Sequence, residues 1–257
     1  MIPEERREKI IEMLEDNKLQ TLDKLKKDLG VSRVTIQRDI NLLEKNGLVT
    51  KVHGGVRIKK TNSGYFETRF KKRLSQNYDK KIEIAKKAIG YVNDSSTIFV
   101  DSSTTCYIFA KELFNQQFND LNLVTTSPTL FCEITPQSSI RIISTGGLFR
   151  REFNMFYGRW VLDFLNKINI DSAFISSAGV SVENGITSSD IELTNILKTV
   201  FKQSTEVNLL VDSSKFTKIG MLKIADLLDC KRIITDSDVS KEIINEFKAR
   251  KAPEIIY

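Results

Sequence analysis

The stretch FVDSSTT, residues 99 to 105, passes from apolar residues to one carboxylate and four hydroxyls in a row: Asp101, Ser102, Ser103, Thr104 and Thr105. A second stretch, LVDSSKF at residues 210 to 216, repeats the plan with Lys215 where the threonines stood. Hydroxyls beside the open N–H groups of a helix start suit a phosphate, and a lysine adds a cation. Asp101 is placed to accept hydrogen bonds from sugar hydroxyls. Three more apolar runs end alike, in Thr125-Thr126-Ser127, in Ser144-Thr145-Gly146-Gly147 and in Ser176-Ser177-Ala178-Gly179. One such cluster is an ordinary turn or helix cap, whereas five in succession describe a binding rim for a phosphorylated, hydroxyl-rich molecule. The candidate ligand contacts are therefore Asp101, Ser102, Ser103, Thr104, Thr105, Thr125, Ser127, Gly146, Gly147, Gly179 and Lys215.

The elements that must hold these clusters are legible as a rhythm. Val/Ile/Leu runs without polar alternation read as strands covered on both faces, and they alternate with helical patterns. The first such helix is DKKIEIAKKAIGYV with Asp79 as its cap, another starts near Ser188, and the last starts at Val239. This is the βαβ pattern of a parallel sheet, a Rossmann-like α/β domain, which takes its ligands at the carboxyl ends of the strands.

Residues 1 to 60 have a different character. PEERREKIIEMLEDNK places Ile10, Ile11 and Leu14 on one helical face. Thr21 caps LDKLKKDL, which Gly30 ends, and Ser32 then caps SRVTIQRDINLLEKN, which Gly47 closes. Two short helices across a tight glycine turn make a helix-turn-helix. Ile36, Ile40 and Leu43 share the inner sector of the third helix, while Val34, Arg38, Asn41 and Lys45 point outward. Thr35 and Gln37 lie on the flanks, and Arg33 lies nearer the core edge. Arg33, Val34, Gln37 and Arg38 are placed to reach base edges in a major groove, and Thr35 to meet phosphate. LVTKVHGGVRIKK reads as a basic β-hairpin turning at Gly54-Gly55, a wing whose Lys51, His53 and Arg57 add contacts to DNA.

Charge agrees with that division. Residues 1 to 90 carry 22 Lys and Arg against 13 Asp and Glu, a net +9, while the remainder is at −3. The basic end suits a polyanion. No run approaches the ~18 apolar residues of a membrane span, and the charged start shows no signal peptide, so the expected location is the cytoplasm. Cys106, Cys132 and Cys230 stand far apart in apolar surroundings, which argues against a zinc site or disulfides and predicts three buried thiols. Neither a metal nor another cofactor is expected. His53, the single histidine, sits in the wing and leaves no histidine for catalysis in the second domain.

Over nearly the whole length the chain resembles the DeoR family of bacterial transcription regulators. SRVTIQRDI is similar to that family's recognition helix, and HGGV to its wing turn. FETRF, KIEIAKKA, VDSSTT, the glycines 146–147, AFISSAGV and DSSKF follow in the order of its sensor-domain blocks. The resemblance implies a repressor, less often an activator, whose carboxyl domain resembles ribose-5-phosphate isomerase and binds a sugar phosphate. It also implies a homo-oligomer. Departures are Gln37 for the first arginine of the family's R-R-D triplet, Ser103 and Ser176 for glycines, and Thr126 for an asparagine.

The organisation expected is a winged helix-turn-helix at 1–60, a linker at 61–78 and an α/β effector-binding and oligomerisation domain at 79–257. Its partners would be a double-stranded DNA operator, a phosphorylated sugar and further copies of the chain, as a dimer or tetramer, with no membrane. The alternative is a sugar-phosphate isomerase-like enzyme fused to a DNA-binding module. It would draw its acid and base from Asp101, Asp171, Glu192 or Asp212.

Overall fold

The computed structural model describes residues 3–16, 19–45, 49–58, 70–250 and 252–257. The expectations for Gly47, Leu48, Lys59 and Lys60, and for residues 61–69 of the linker with most of FETRF, lie outside them. Residues Met1–Arg69 and Phe70–Tyr257 form two compact units. Among the described residues no helix is long and apolar enough to cross a membrane.

The first unit comprises helices α1 (Pro3–Asp16), α2 (Leu22–Leu29) and α3 (Arg33–Lys45) and an antiparallel hairpin of β1 (Val49–Val52) and β2 (Gly55–Ile58). Its core joins Ile10, Leu14, Leu25, Ile36, Ile40, Leu43, Val49 and Val56. Capping follows the sequence: Thr21 Oγ1 accepts from Lys24 N at 3.2 Å, Ser32 Oγ accepts from Thr35 N at 3.1 Å, and Gly30 takes the left-handed conformation. The wing differs from expectation by one residue. Its turn is His53-Gly54, with Gly54 at φ +86°, and Gly55 begins β2. Gly55 is needed for another reason: a Cβ there would stand 2.4 Å from the Gln20 carbonyl, which pairs the wing to the rest of the unit.

The second unit is built on a seven-stranded parallel sheet in the order β14-β13-β11-β8-β3-β4-β5. Its strands are β3 (Thr97–Val100), β4 (Asn122–Thr125), β5 (Arg141–Ser144), β8 (Ile170–Ile175), β11 (Ser204–Leu210), β13 (Arg232–Ile234) and β14 (Glu254–Ile256). Alternate residues divide between two cores: Ile98, Val100, Phe174, Leu210 and Ile234 face one side, and Phe99, Ala173, Ile175, Leu209 and Ile233 the other. Helices α4 (Tyr78–Ile89) and α5 (Thr104–Phe114) cover the first face. Helices α7 (Arg159–Leu165), α8 (Ile191–Gln203) and α9 (Lys241–Ala249) cover the second. With both faces covered the sheet is Rossmann-like, as its unalternated strands required. α6 (Leu130–Glu133) is a single turn after β4.

Several local expectations are corrected. Asp79 lies in the first turn of α4, and the cap position is Asn77, held at φ +53°. Helix α8 starts three residues beyond Ser188, at Ile191, capped by Asp190, whose carboxylate accepts from Leu193 N at 2.9 Å. Cys106 and Cys230 are buried, but Cys132 is exposed on the one-turn α6, which is too short to enclose it. Residues 70–75, in the segment read as a linker or a partly ordered helix, are helical. Two antiparallel additions escaped the strand pattern because their segments lack the unbroken Val/Ile/Leu runs of the parallel sheet. They are the hairpin of β6 (Leu148–Arg150) and β7 (Met155–Tyr157), and a sheet of β12 (Leu222–Ala225), β10 (Gly185–Ser188) and β9 (Gly179–Ser181).

Candidate functional site

Two surfaces gather the residues singled out by sequence. On the first unit, α3 turns Ile36, Ile40 and Leu43 inward and leaves Arg33, Val34, Arg38, Asn41 and Lys45 exposed. Among the described residues Arg38 and Arg57 make no side-chain hydrogen bond or ion pair. Arg33 is exposed, not at the core edge, and its guanidinium stands 3.7 Å from Asp23. Thr35 shares a 2.8 Å hydrogen bond with Ser32, and Gln37 donates to Asn41. Lys51 is anchored to Glu44 by a 2.7 Å ion pair, and His53 is exposed in the wing turn. The helix is fixed from behind by Asp39. This buried carboxylate accepts from Arg6 Nε at 2.6 Å and lies 3.7 Å from Arg7, so it ties α3 to α1. Spacing did not mark it, because a lone Asp on a helix reads as surface.

On the second unit the five polar clusters follow β3, β4, β5, β8 and β11, which are contiguous and parallel. They therefore share the carboxyl rim. Their side chains divide sharply between those engaged in the fold and those left open.

The engaged set begins with Asp101. It is buried, its Oδ1 accepts from Ser103 N at 2.7 Å and its Oδ2 from Ser176 N at 2.8 Å. Burial pushes its pKa up, against the pull of those bonds. Asp101 thus laces the β3 and β8 ends together. Thr125 Oγ1 donates to the Val100 carbonyl at 2.7 Å and accepts from Ser127 N at 3.0 Å, while Ser127 Oγ accepts from Asn154 Nδ2 at 3.1 Å. Ser103 Oγ caps α5 by accepting from Cys106 N at 3.2 Å. Asp212 accepts from Asn77 Nδ2 and Ser214 N, both at 3.1 Å, and Ser213 Oγ accepts from Lys80 Nζ at 2.7 Å. Gly179 is demanded by packing, since a Cβ there would lie 1.9 Å from the Lys218 carbonyl. Gly146 and Gly147, at φ +62° and +114°, turn the chain from β5 into the β6–β7 hairpin.

The open set is smaller. Among the described residues the hydroxyls of Ser102, Thr104 and Thr105 have no hydrogen-bond partner, and Thr104 and Thr105 present the uncapped N–H groups of the first turn of α5. Thr126 Oγ1 is buried and has no partner among the described residues. The Lys215 ammonium, half-buried, has no hydrogen bond or ion pair among the described residues. Burial lowers its pKa, Asp212 opposes that shift, and Lys218 and Arg73 reinforce it. Unpartnered donors, a desolvated cation and a helix start are the chemistry that suits an anion carrying hydroxyls.

Lys81 belongs to this rim and was missed. It is buried in α4, where its ammonium donates to the carbonyls of Arg73, Leu74 (3.4 Å) and Gln76 (2.6 Å) at the end of the helical 70–75 segment. Burial brings its pKa down to about 8, with Asp212 opposing and Lys215 and Arg73 reinforcing. Arg73 donates to the Glu152 carbonyl at 3.1 Å and stacks 5.6 Å over Phe153, whose ring also meets Arg150 at 4.7 Å. Amid Lys80, Lys86 and Lys87, nothing local marked Lys81 as the lysine that turns inward. A cavity of about 350 Å³ lies at the opposite, amino edge of the sheet, between Tyr91, Asp171, Glu206 and Arg232. Its charged groups are engaged within the fold: Arg232 pairs with Glu206 at 3.0 Å, and Asp171 accepts from Thr97 N at 2.7 Å.

Comparison with known proteins gives a consistent picture. Residues 6–62 match the DeoR-like helix-turn-helix domain, and residues 76–237 the DeoR C terminal sensor domain. The chain is 30% identical to the HTH-type transcriptional regulator GolR of Listeria innocua, over 98% of each chain. It is 30% identical to the lactose phosphotransferase system repressor of Lactococcus lactis, over 94% of each. The L-fucose operon activator of Escherichia coli is 27% identical, over 90% of this chain and 94% of its own length. Among solved structures, ribose 5-phosphate isomerase A of Methanocaldococcus jannaschii is 22% identical with a TM-score of 0.40, over 55% of this chain and 56% of that one. That last likeness carries no chemistry.

Proposed function

This chain belongs to the DeoR family of transcriptional regulators, and from that premise we propose that it is a repressor of a carbohydrate-metabolism operon, released by a phosphorylated sugar. The observation that carries the reading is the Lys215 ammonium, half-buried and unpartnered among the described residues. It shares its rim with the open hydroxyls and N–H groups at the start of α5, and together these are what a phosphate requires. Ser102, Thr104, Thr105, Lys215 and the glycine turn at 146–147 form the effector site, with Lys81 and Arg73 adding positive potential. Asp101, Ser103, Thr125, Ser127 and Gly179 shape it from behind.

The operator face is α3 with the wing: Arg33, Val34, Gln37 and Arg38 at base edges, and Thr35, Lys51, His53 and Arg57 at the backbone. The chain works in the cytoplasm as a dimer or tetramer, so that paired winged helices meet paired half-sites. The effector shifts operator affinity because it binds the two quaternary arrangements unequally. Relatives named as a lactose system repressor and a fucose operon activator support a sugar-linked role. An enzyme would need a carboxylate free for proton transfer, and Asp101 and Asp212 at this rim are both engaged by backbone and side-chain donors.

A thermal-shift screen of the full chain against phosphorylated sugars, polyols and their unphosphorylated forms tests this reading. One phosphorylated compound should raise the melting temperature, and the same compound should weaken operator binding in a titration. A compound that stabilises the protein and is then isomerised or hydrolysed would restore the enzyme reading.

A further inference from the structure

Gln37 and Asn41 lie one helical turn apart on the outward side of α3, and Gln37 Nε2 donates to Asn41 Oδ1 at 3.3 Å. Asn41 is exposed and Gln37 half-buried at its foot, flanked by exposed Val34 and Arg38. A glutamine carboxamide carries two donor hydrogens and one acceptor oxygen. With the hydrogen trans to Oε1 given to Asn41, the hydrogen cis to it and Oε1 form a free edge of one donor beside one acceptor. The bond also restricts the rotamers of a side chain that would otherwise lose that freedom only on binding.

In the major groove adenine offers an acceptor at N7 beside a donor at N6, the complement of that edge. Guanine offers acceptors at both N7 and O6, so Oε1 would face O6 with no proton between them. We propose that Gln37, oriented by Asn41, reads an adenine in each operator half-site. Gln37 is then a specificity-determining residue, and Asn41 is the positioning residue that aims it. The inference rests on the operator-binding reading of α3 and names the base which that face selects.

The test begins with selection of bound duplexes from a random double-stranded pool by the full chain, followed by affinity measurements on the selected site and its single-base-pair variants. One position per half-site should require A·T, with a loss on the order of 10- to 100-fold on exchange for G·C. Gln37→Ala should erase the preference at that position alone. Asn41→Ala should reduce the same discrimination ratio by a smaller factor, and Asn41→Asp, which keeps the acceptor, should restore the ratio even though overall affinity drops. A selected site whose preferences all survive Gln37→Ala overturns the proposal, as does relaxation at a G·C position or an equal loss on every sequence. Recovery of no duplex from the pool would overturn the operator reading itself, and with it this inference.

Discussion

The outer face of α3 and the carboxyl rim of the parallel sheet are both rows of polar side chains, yet they are polar in different ways. On α3 nearly every outward group is solvated, and the few contacts are local or weak, such as Arg33 with Asp23 at 3.7 Å and Gln37 with Asn41 one turn away. At the rim most polar groups are turned inward and joined across long stretches of chain, as Asp101 is to Ser176 and Asn77 is to Asp212. The helix face leaves its chemistry open to solvent, as the proposed operator contact requires. The rim uses most of its polar groups to hold strand ends together and leaves only a few open, which are the ones proposed to meet a small ligand. A polar residue at a surface is thus a contact by default, whereas a polar residue at a sheet rim is a contact only if the fold leaves it unengaged.

The sharpest way to break this contrast is Asp101→Ala. If Asp101 is a fastening, its loss strands the buried Ser176 N–H and the half-buried Ser103 N–H and should cost roughly 3 kcal/mol in urea unfolding. A variant of unchanged stability that merely failed to bind effector would make it a ligand contact after all.

Lys81 tests the rim's desolvation. Its folded pKa of about 8 lies below the ordinary lysine value of 10.5. Between those two values the unfolded chain holds a proton that the folded chain has released, so stability should rise with pH across that window. The difference between wild type and Lys81→Met should show a rise on the order of 3 kcal/mol in pH-dependent unfolding, and a flat difference would place Lys81 in solvent.

Lys215→Ala should weaken effector binding by about 10- to 100-fold while leaving operator affinity intact, since it removes the open cation without unmaking any bond of the fold. Unchanged effector affinity by calorimetry removes Lys215 from the site. On the other surface Arg38→Ala should cost about 1 to 3 kcal/mol of operator binding with relaxed sequence preference. An equal loss on all duplexes, read by competition with non-specific DNA, would make Arg38 a phosphate contact. Smallest of all, Arg33→Ala should change thermal stability by less than about 1 kcal/mol, because its exposed pairing with Asp23 is screened. A larger change in the melting temperature would mean that the α3 face is more integrated than its exposure implies.

Legibility followed the same divide. The helices of the first unit were readable because caps, glycine stops and apolar spacing act over four residues, as Thr21, Gly30 and Ser32 show. The seven parallel strands were readable in most of their number for a similar reason, since burial on both faces forces unbroken Val/Ile/Leu runs. Strands β6, β7, β9, β10 and β12 were not, because segments such as Leu-Phe-Arg and Gly-Val-Ser carry no unbroken Val/Ile/Leu run. Gly54 and Gly55 could not be told apart either: one needs a positive φ and the other room beside Gln20, and the second requirement comes from a residue 35 positions away.

The sequence by itself determined that a winged helix precedes an α/β domain and that hydroxyls, glycines and Lys215 gather at strand ends, because those facts follow from patterns within single elements. Tertiary structure alone decided which of these groups remain open. Whether Asp101 meets Ser176, whether Gly179 lies under Lys218 and whether Lys81 turns inward all depend on elements brought side by side by the sheet. A hydrogen bond or a close approach between strand ends is settled by distance in space, and one-dimensional spacing does not carry it.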